Sequence, residues 1–138
     1  YEIPGTNEAM TGLDISGFKA MISNVVRDYP NIAVAATTLR EVHSASVNDW
    51  GAIAWSADTD FVESTFRRGL EILDRVGGGD SFASGLAFGL METGSLRSAI
   101  EYGAAHGALA MSTAGDTSTA NRAEVEALMR GVGAGVQR

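Results

Sequence analysis

Apolar residues recur along the chain with two different periods. Between Asp14 and Asp28, the residues Phe18, Met21, Ile22, Val25 and Val26 fall at helical spacing, which places them on one face. Asp14 or Ser16 can cap the start, and Pro30 ends the run, because the residue before a proline avoids helical geometry. A helix is therefore expected over residues 15–28. Residues 32–37, Ile-Ala-Val-Ala-Ala-Thr, are apolar without alternation, the pattern of a parallel strand covered by helices on both faces. The mixed polar stretch 38–48 reads as a connector. Residues 50–56 and 61–66 flank the turn-rich Ala57-Asp58-Thr59-Asp60 and read as a hairpin-like pair at the sheet edge.

The period then returns to that of helices. Residues 79–92 carry Phe82, Leu86, Phe88, Leu90 and Met91, with Gly94 to end the run. Gly85 and Gly89 leave one face of that helix smooth enough for close packing. Ser95 caps a second helix over 96–112, rich in alanine and glycine. A third spans 121–131 with Val125, Leu128 and Met129 inward. Helix, strand and loop in this rhythm define an α/β fold.

The 138 residues allow one domain with a real core. A net charge of −7 argues against nucleic acid or an anionic membrane as a general partner. It leaves room for a nucleotide held at one local site. With no cysteine, disulfides and thiolate metal sites are excluded, which suits the cytoplasm. No stretch reaches the length of a membrane span.

The chain is organised around Asp74-Arg75-Val76-Gly77-Gly78-Gly79-Asp80. Glycine lets the backbone turn sharply and approach a ligand. A helix starting there offers unpaired N–H groups and the positive end of its dipole to a phosphate. Asp80, in the first turn, is placed to meet a hydroxyl brought to that phosphate. The competing reading is a turn in which Asp80 merely caps the helix. No lysine follows the glycines, so this is not an ordinary P-loop.

Asp74 to Asp80 resembles the D-T-x-G-A-G-D signature of the ribokinase-like (PfkB) carbohydrate kinases. The run from Leu73 to Leu86 looks most like their 2-keto-3-deoxygluconate kinase branch. Supporting segments are Ala36 to Glu41, Asn48-Asp49-Trp50 and Tyr102 to Ala110. The resemblance implies a ribokinase-like α/β fold, with this chain as the C-terminal portion of a mainly parallel sheet covered by helices. Residues 1–138 are then a single partial domain of a longer kinase, a homo-oligomer at full length. Arg75 stands where the family has Thr, and Gly78 where it has Ala.

The implied reaction is ATP-dependent phosphorylation of a sugar or sugar acid hydroxyl. Asp80 would be the general base, and the backbone of Gly77, Gly78 and Gly79 the anion hole. Thr38 and Arg40 would border the nucleotide, with the adenine against Ala104, Gly107 and Ala108. Mg2+ would bridge the phosphates near Asn7 and Glu8, which resemble part of an N-x-x-E motif, although Met10 stands at its fourth position. K+ would lie at Asp74, the Val76 carbonyl and the carbonyls of Ala114 and Gly115. Read from the residues alone, His106 is a packing histidine and His43 an exposed loop histidine. Arg67 and Arg68 read as solvated, and the two tryptophans as packing groups of the core or its rim. Another ribokinase-like sugar or nucleoside kinase, a non-catalytic nucleotide-binding module and a helix-rich interaction domain remain open beside the 2-keto-3-deoxygluconate kinase.

Overall fold

The computed structural model describes residues 14–131. Helix α1, Ile15–Asp28, starts at Asp14, whose carboxylate accepts the Ser16 N–H, and buries Phe18 and Ile22. Four strands follow: β1 Val34–Val42, β2 Val47–Ser56, β3 Asp60–Glu63 and β4 Arg67–Glu71. Strand β1 pairs along one edge of β2, while β3 and β4 share the other edge. Three helices complete the chain: α2 Gly78–Thr93, α3 Leu96–Met111 and α4 Arg122–Met129.

Alternation along β2 sorts the core into two layers. Trp50, Ala52 and Ala54 face α2 and α3 in a cluster with Phe82, Ile100, Ala104, Ala108 and Met111. Ile53 points the other way and packs with Leu39, Phe18 and Ile22 under α1. Helices thus cover both faces of the sheet, as the apolar runs imply. The glycine face of α2 does lie close to α3: a Cβ on Gly89 would stand 2.6 Å from the Ala99 Cα.

The strands differ from expectation in direction and extent. Every strand pair among the described residues is antiparallel, not parallel. The connectors explain this. Residues 43–46 join β1 to β2 and residues 57–59 join β2 to β3, whereas a parallel neighbour needs a crossover of about a dozen residues or more. The supposed connector 38–48 is mostly strand, with only residues 43–46 left as a turn: Thr38 lies opposite Ala52, Arg40 opposite Trp50 and Val42 opposite Asn48. Past Glu63 the chain does not continue the hairpin to residue 66. It breaks and re-enters the sheet as β4, beside the first half of β2. The four helices lie where their apolar periods place them, within a few residues at each end.

Candidate active site

Three backbone contacts deliver the glycine segment to its place. Leu73 and Asp74 both donate their N–H to the Met111 carbonyl, at 2.9 and 3.2 Å, which fastens the segment to the end of α3. The Asp74 carboxylate accepts the Val76 N–H at 2.9 Å, a local turn of the kind aspartate favours. Gly77 then takes φ 84° as the N-cap of α2, and no side chain caps this helix. The first helical bond runs from the Ser81 N–H to the Gly77 carbonyl at 2.9 Å. The N–H groups of Gly78, Gly79 and Asp80 precede it and have no helical acceptor.

The three glycines answer three different demands. A Cβ on Gly77 would fall 2.3 Å from the Asp116 carbonyl oxygen, and its left-handed φ disfavours a side chain in any case. A Cβ on Gly78 would meet the Met111 side chain at 2.8 Å. A Cβ on Gly79 would meet nothing in the protein within 4 Å. Gly78 and Gly79 line a cavity of about 600 Å3 together with Arg75, Thr38, Arg40, Trp50 and Met111. Among the described residues neither Arg40 nor Arg75 is paired with a carboxylate. The cavity therefore gathers two unneutralised guanidinium groups and the open end of a helix, an arrangement fitted to a polyanion.

Asp80 is exposed in the first turn of α2. It does not cap the helix, because the N-cap position belongs to Gly77. The capping reading of Asp80 is thereby removed, and its carboxylate has no protein partner among the described residues. Thr38, Arg40, Gly78 and Gly79 are brought together at the cavity, with Gly77 next to it as the N-cap. Ala104, Gly107 and Ala108 are not: they are buried, and none reaches the cavity wall. The Trp50 ring occupies the space they leave. Its Nε1–H donates to the Ala104 carbonyl at 2.8 Å, and a Cβ on Gly107 would stand 2.6 Å from the indole. These small residues seat a tryptophan instead of an adenine, so Trp50 packs the core and also lines the cavity.

The residues expected near metal ions fare differently. Asn7 and Glu8 lie outside the described residues. Asp74 and Val76 adjoin the Asp116 turn through Gly77, but the Asp74 carboxylate already holds the Val76 N–H. Among the described residues the one group with ligand-type donors close together is Glu41, His43 and Asp49. It lies on the sheet face away from the cavity, since Asp49 alternates with Trp50 along β2. Asp49 is buried there, accepting the Gly69 N–H at 2.7 Å and the His43 Nε2–H at 2.9 Å, with Arg68 at 3.6 Å. The His43 hydrogen bond, joined by the Gly69 N–H, holds the Asp49 carboxyl below the usual carboxylate range, and the same hydrogen bond raises His43 above an ordinary imidazole. With His43 and Arg68 both on Asp49, this is a polar cluster tying the β1–β2 turn to β4.

His43 is exposed as the sequence suggests, yet it is bonded. Sequence reading missed its partner, and the signal lay in the strand register that sets Glu41 opposite Asp49. Arg67 and Arg68 both lie on β4; Arg67 is half-buried, and Arg68 is exposed over the Phe66 ring. His106 is satisfied, with Ser84 Oγ at 3.2 Å from Nδ1 and Ser118 Oγ at 2.9 Å from Nε2. None of the helices among the described residues is long and apolar enough to cross a membrane.

An α/β layer with an anion cradle at a glycine turn and a free carboxylate one step along the helix is the outline of a phosphoryl-transfer protein. The model of the pfkB family carbohydrate kinases matches residues 49–123, more than half of the chain, and the chain belongs to that family. Solved structures agree. The 2-dehydro-3-deoxygluconokinase of Thermotoga maritima is 30% identical with TM-score 0.78, over 88% of this chain and 36% of its own. An Enterococcus faecalis protein taken to be a 2-keto-3-deoxygluconate kinase is 26% identical with TM-score 0.70, over 90% of this chain and 35% of its own. A PfkB family carbohydrate kinase from Listeria grayi shares the fold at 24% identity and TM-score 0.73, over 91% of this chain and 36% of its own. The ribokinase-like α/β assignment therefore holds, and the chain spans about a third of the length of these relatives. Curated proteins yield no match.

Proposed function

We propose that residues 1–138 form the C-terminal, phosphate-binding and base-bearing part of an ATP-dependent sugar kinase. The substrate we assign is a sugar acid, 2-keto-3-deoxygluconate, on the strength of the Thermotoga maritima relative. The observation that carries the reading is Gly79. No protein atom within 4 Å of a Cβ there demands a glycine, yet the residue lines the cavity at the open end of α2, where a bare backbone lets an anion approach.

In this reading Asp80 takes the proton of the attacking hydroxyl as its oxygen bonds to the γ-phosphorus of ATP. The bond from that phosphorus to the bridging oxygen breaks, and ADP leaves with the electron pair. The N–H groups of Gly78 and Gly79, joined by that of Asp80 in place of the expected Gly77, which is the N-cap, face the developing charge, and Thr38 and Arg40 hold the donor phosphates. One aligned donor of this kind is worth on the order of 3 kcal/mol in the transition state. An alkali cation would use Asp74, the Val76 carbonyl and the carbonyls of Ala114 and Gly115. The described residues place no ligand cluster for Mg2+ at the cavity, and no step here passes through one. The cytoplasm and a homo-oligomeric full-length enzyme complete the proposal.

The test is a titration followed by turnover. An ATP analogue should bind saturably and far better than adenosine, and the full-length protein should phosphorylate 2-keto-3-deoxygluconate before other sugars. Equal affinity for the analogue and adenosine would sink the anion site. Saturable binding with no turnover of any sugar acid would leave a nucleotide-binding module.

A further inference from the structure

Arg75 is the cavity residue that the kinase reading has not yet used. It follows Asp74, whose carboxylate fixes the Val76 N–H, and precedes the glycine segment, so the backbone on both sides of it is held. Its side chain lines the cavity with Gly78 and Gly79, is exposed, and meets no carboxylate among the described residues. Three other arginines among the described residues are held in ion pairs, Arg27 with Asp28, Arg68 with Asp49, and Arg122 with Glu92 and Glu126, whereas Arg75 and Arg40 are the arginines without one that line the cavity. An arginine left unpaired beside an open helix N-terminus carries a charge that the protein itself does not neutralise.

We propose that Arg75 is a catalytic residue that stabilises the phosphoryl group during its transfer, an inference that rests on the kinase reading of the same cavity. Phosphoryl transfer spreads charge over three equatorial oxygens, and an arginine aimed at them lowers the barrier without forming any bond. The guanidinium is always protonated and its planar fork matches two phosphate oxygens at once. Arg40 has a different task. It sits on β1 opposite Trp50, half-buried in a paired strand, and so is fixed before and after the reaction. Arg75, exposed on a segment between β4 and α2, reaches the phosphoryl without unpacking the core. Asp80 and Arg75 then flank Gly78 and Gly79, one to accept the proton and one to meet the charge.

The experiment compares ADP with ADP plus aluminium fluoride, a mimic of the transferring phosphoryl group, by calorimetric titration of the full-length chain. Arg75→Gln should weaken the aluminium fluoride complex by about 10²–10³-fold and leave ADP within about threefold. Arg75→Lys should recover part of the loss, whereas Arg40→Gln should weaken both probes alike. Unchanged thermal melting verifies that the exposed substitution leaves the fold intact. Equal weakening of both probes by Arg75→Gln would make Arg75 a ground-state phosphate holder, and no weakening would make it a solvated side chain; either overturns the proposal. A wild-type protein that bound neither probe would overturn the kinase reading and this inference with it. Tight wild-type binding with an indifferent Arg75→Gln would overturn this inference alone.

Discussion

At the start of α4, Asn121 accepts the Glu124 N–H at 3.1 Å and Glu124 accepts the Asn121 N–H at 2.8 Å. Two of the donors at that end are satisfied by the helix's own side chains in a capping box. At the start of α2 the same need is left unmet: Gly77 has no side chain to offer, and Asp80, one turn in, does not reach back. The α4 end is closed and serves stability. The α2 end is open and faces a cavity with two arginines unpaired among the described residues, the end that the proposed function gives to a ligand. What separates them is the residue at the N-cap, Asn in one and Gly in the other. An unmade cap beside a cavity carries more functional information than a made one.

The largest expected effect breaks this comparison at Asp80. Asp80→Asn keeps the size of the side chain but cannot take a proton, so turnover of the full-length enzyme should fall by about 10²–10⁴ with melting temperature unchanged. Near-normal turnover would defeat the base assignment. Next comes Gly77→Ala, which forces a side chain into left-handed backbone and against the Asp116 carbonyl. It should cost at least about 1–3 kcal/mol in urea unfolding and weaken ATP-analogue binding as well. Gly79→Val is its counterpart: with open space around the Cβ, the analogue should bind more weakly while unfolding shifts much less than in Gly77→Ala.

On the closed side, Asn121→Ala should cost about 1 kcal/mol of stability and leave nucleotide titrations untouched. A change in nucleotide affinity there would erase the contrast between the two helix starts. The smallest effect belongs to the polar cluster behind the sheet. His43 titrates higher when folded, so its stabilisation is complete below the ordinary imidazole value and is lost as pH rises through the raised folded value. Asp49 titrates lower when folded, so its share is present above the ordinary carboxylate range and is lost as pH falls through the depressed value. Melting curves of wild type and His43→Ala should therefore differ at mildly acidic pH and converge at alkaline pH. A constant gap across that range would show that the pair does not titrate as assigned.

Much of the candidate site is legible in the sequence. Three glycines ahead of an apolar helical period announce a sharp turn and an open helix start, because both follow from local torsions. The helices are legible for the same reason, since their period is written within one segment. Strand direction is not, because the apolar run at residues 32–37 has no local mark of its neighbour. The adenine surface fails on a different ground. A row of small residues at Ala104, Gly107 and Ala108 invites any flat group, and nothing local says whether that group is a base or an indole.

The sequence by itself determined the turn at Gly77, the helix that follows it and the presence of a carboxylate in its first turn. These depend on backbone torsions and on spacing within a few residues. Only the tertiary structure decided that Trp50 fills the groove of α3, that Asp49 pairs with His43, and that Arg40 and Arg75 face one cavity. It also decided that Gly77 answers to Asp116, Gly78 to Met111 and Gly79 to no protein atom. Each of these depends on which residues from distant parts of the chain fill the same space, and packing of that kind is settled only when the sheet register and the helix contacts form together.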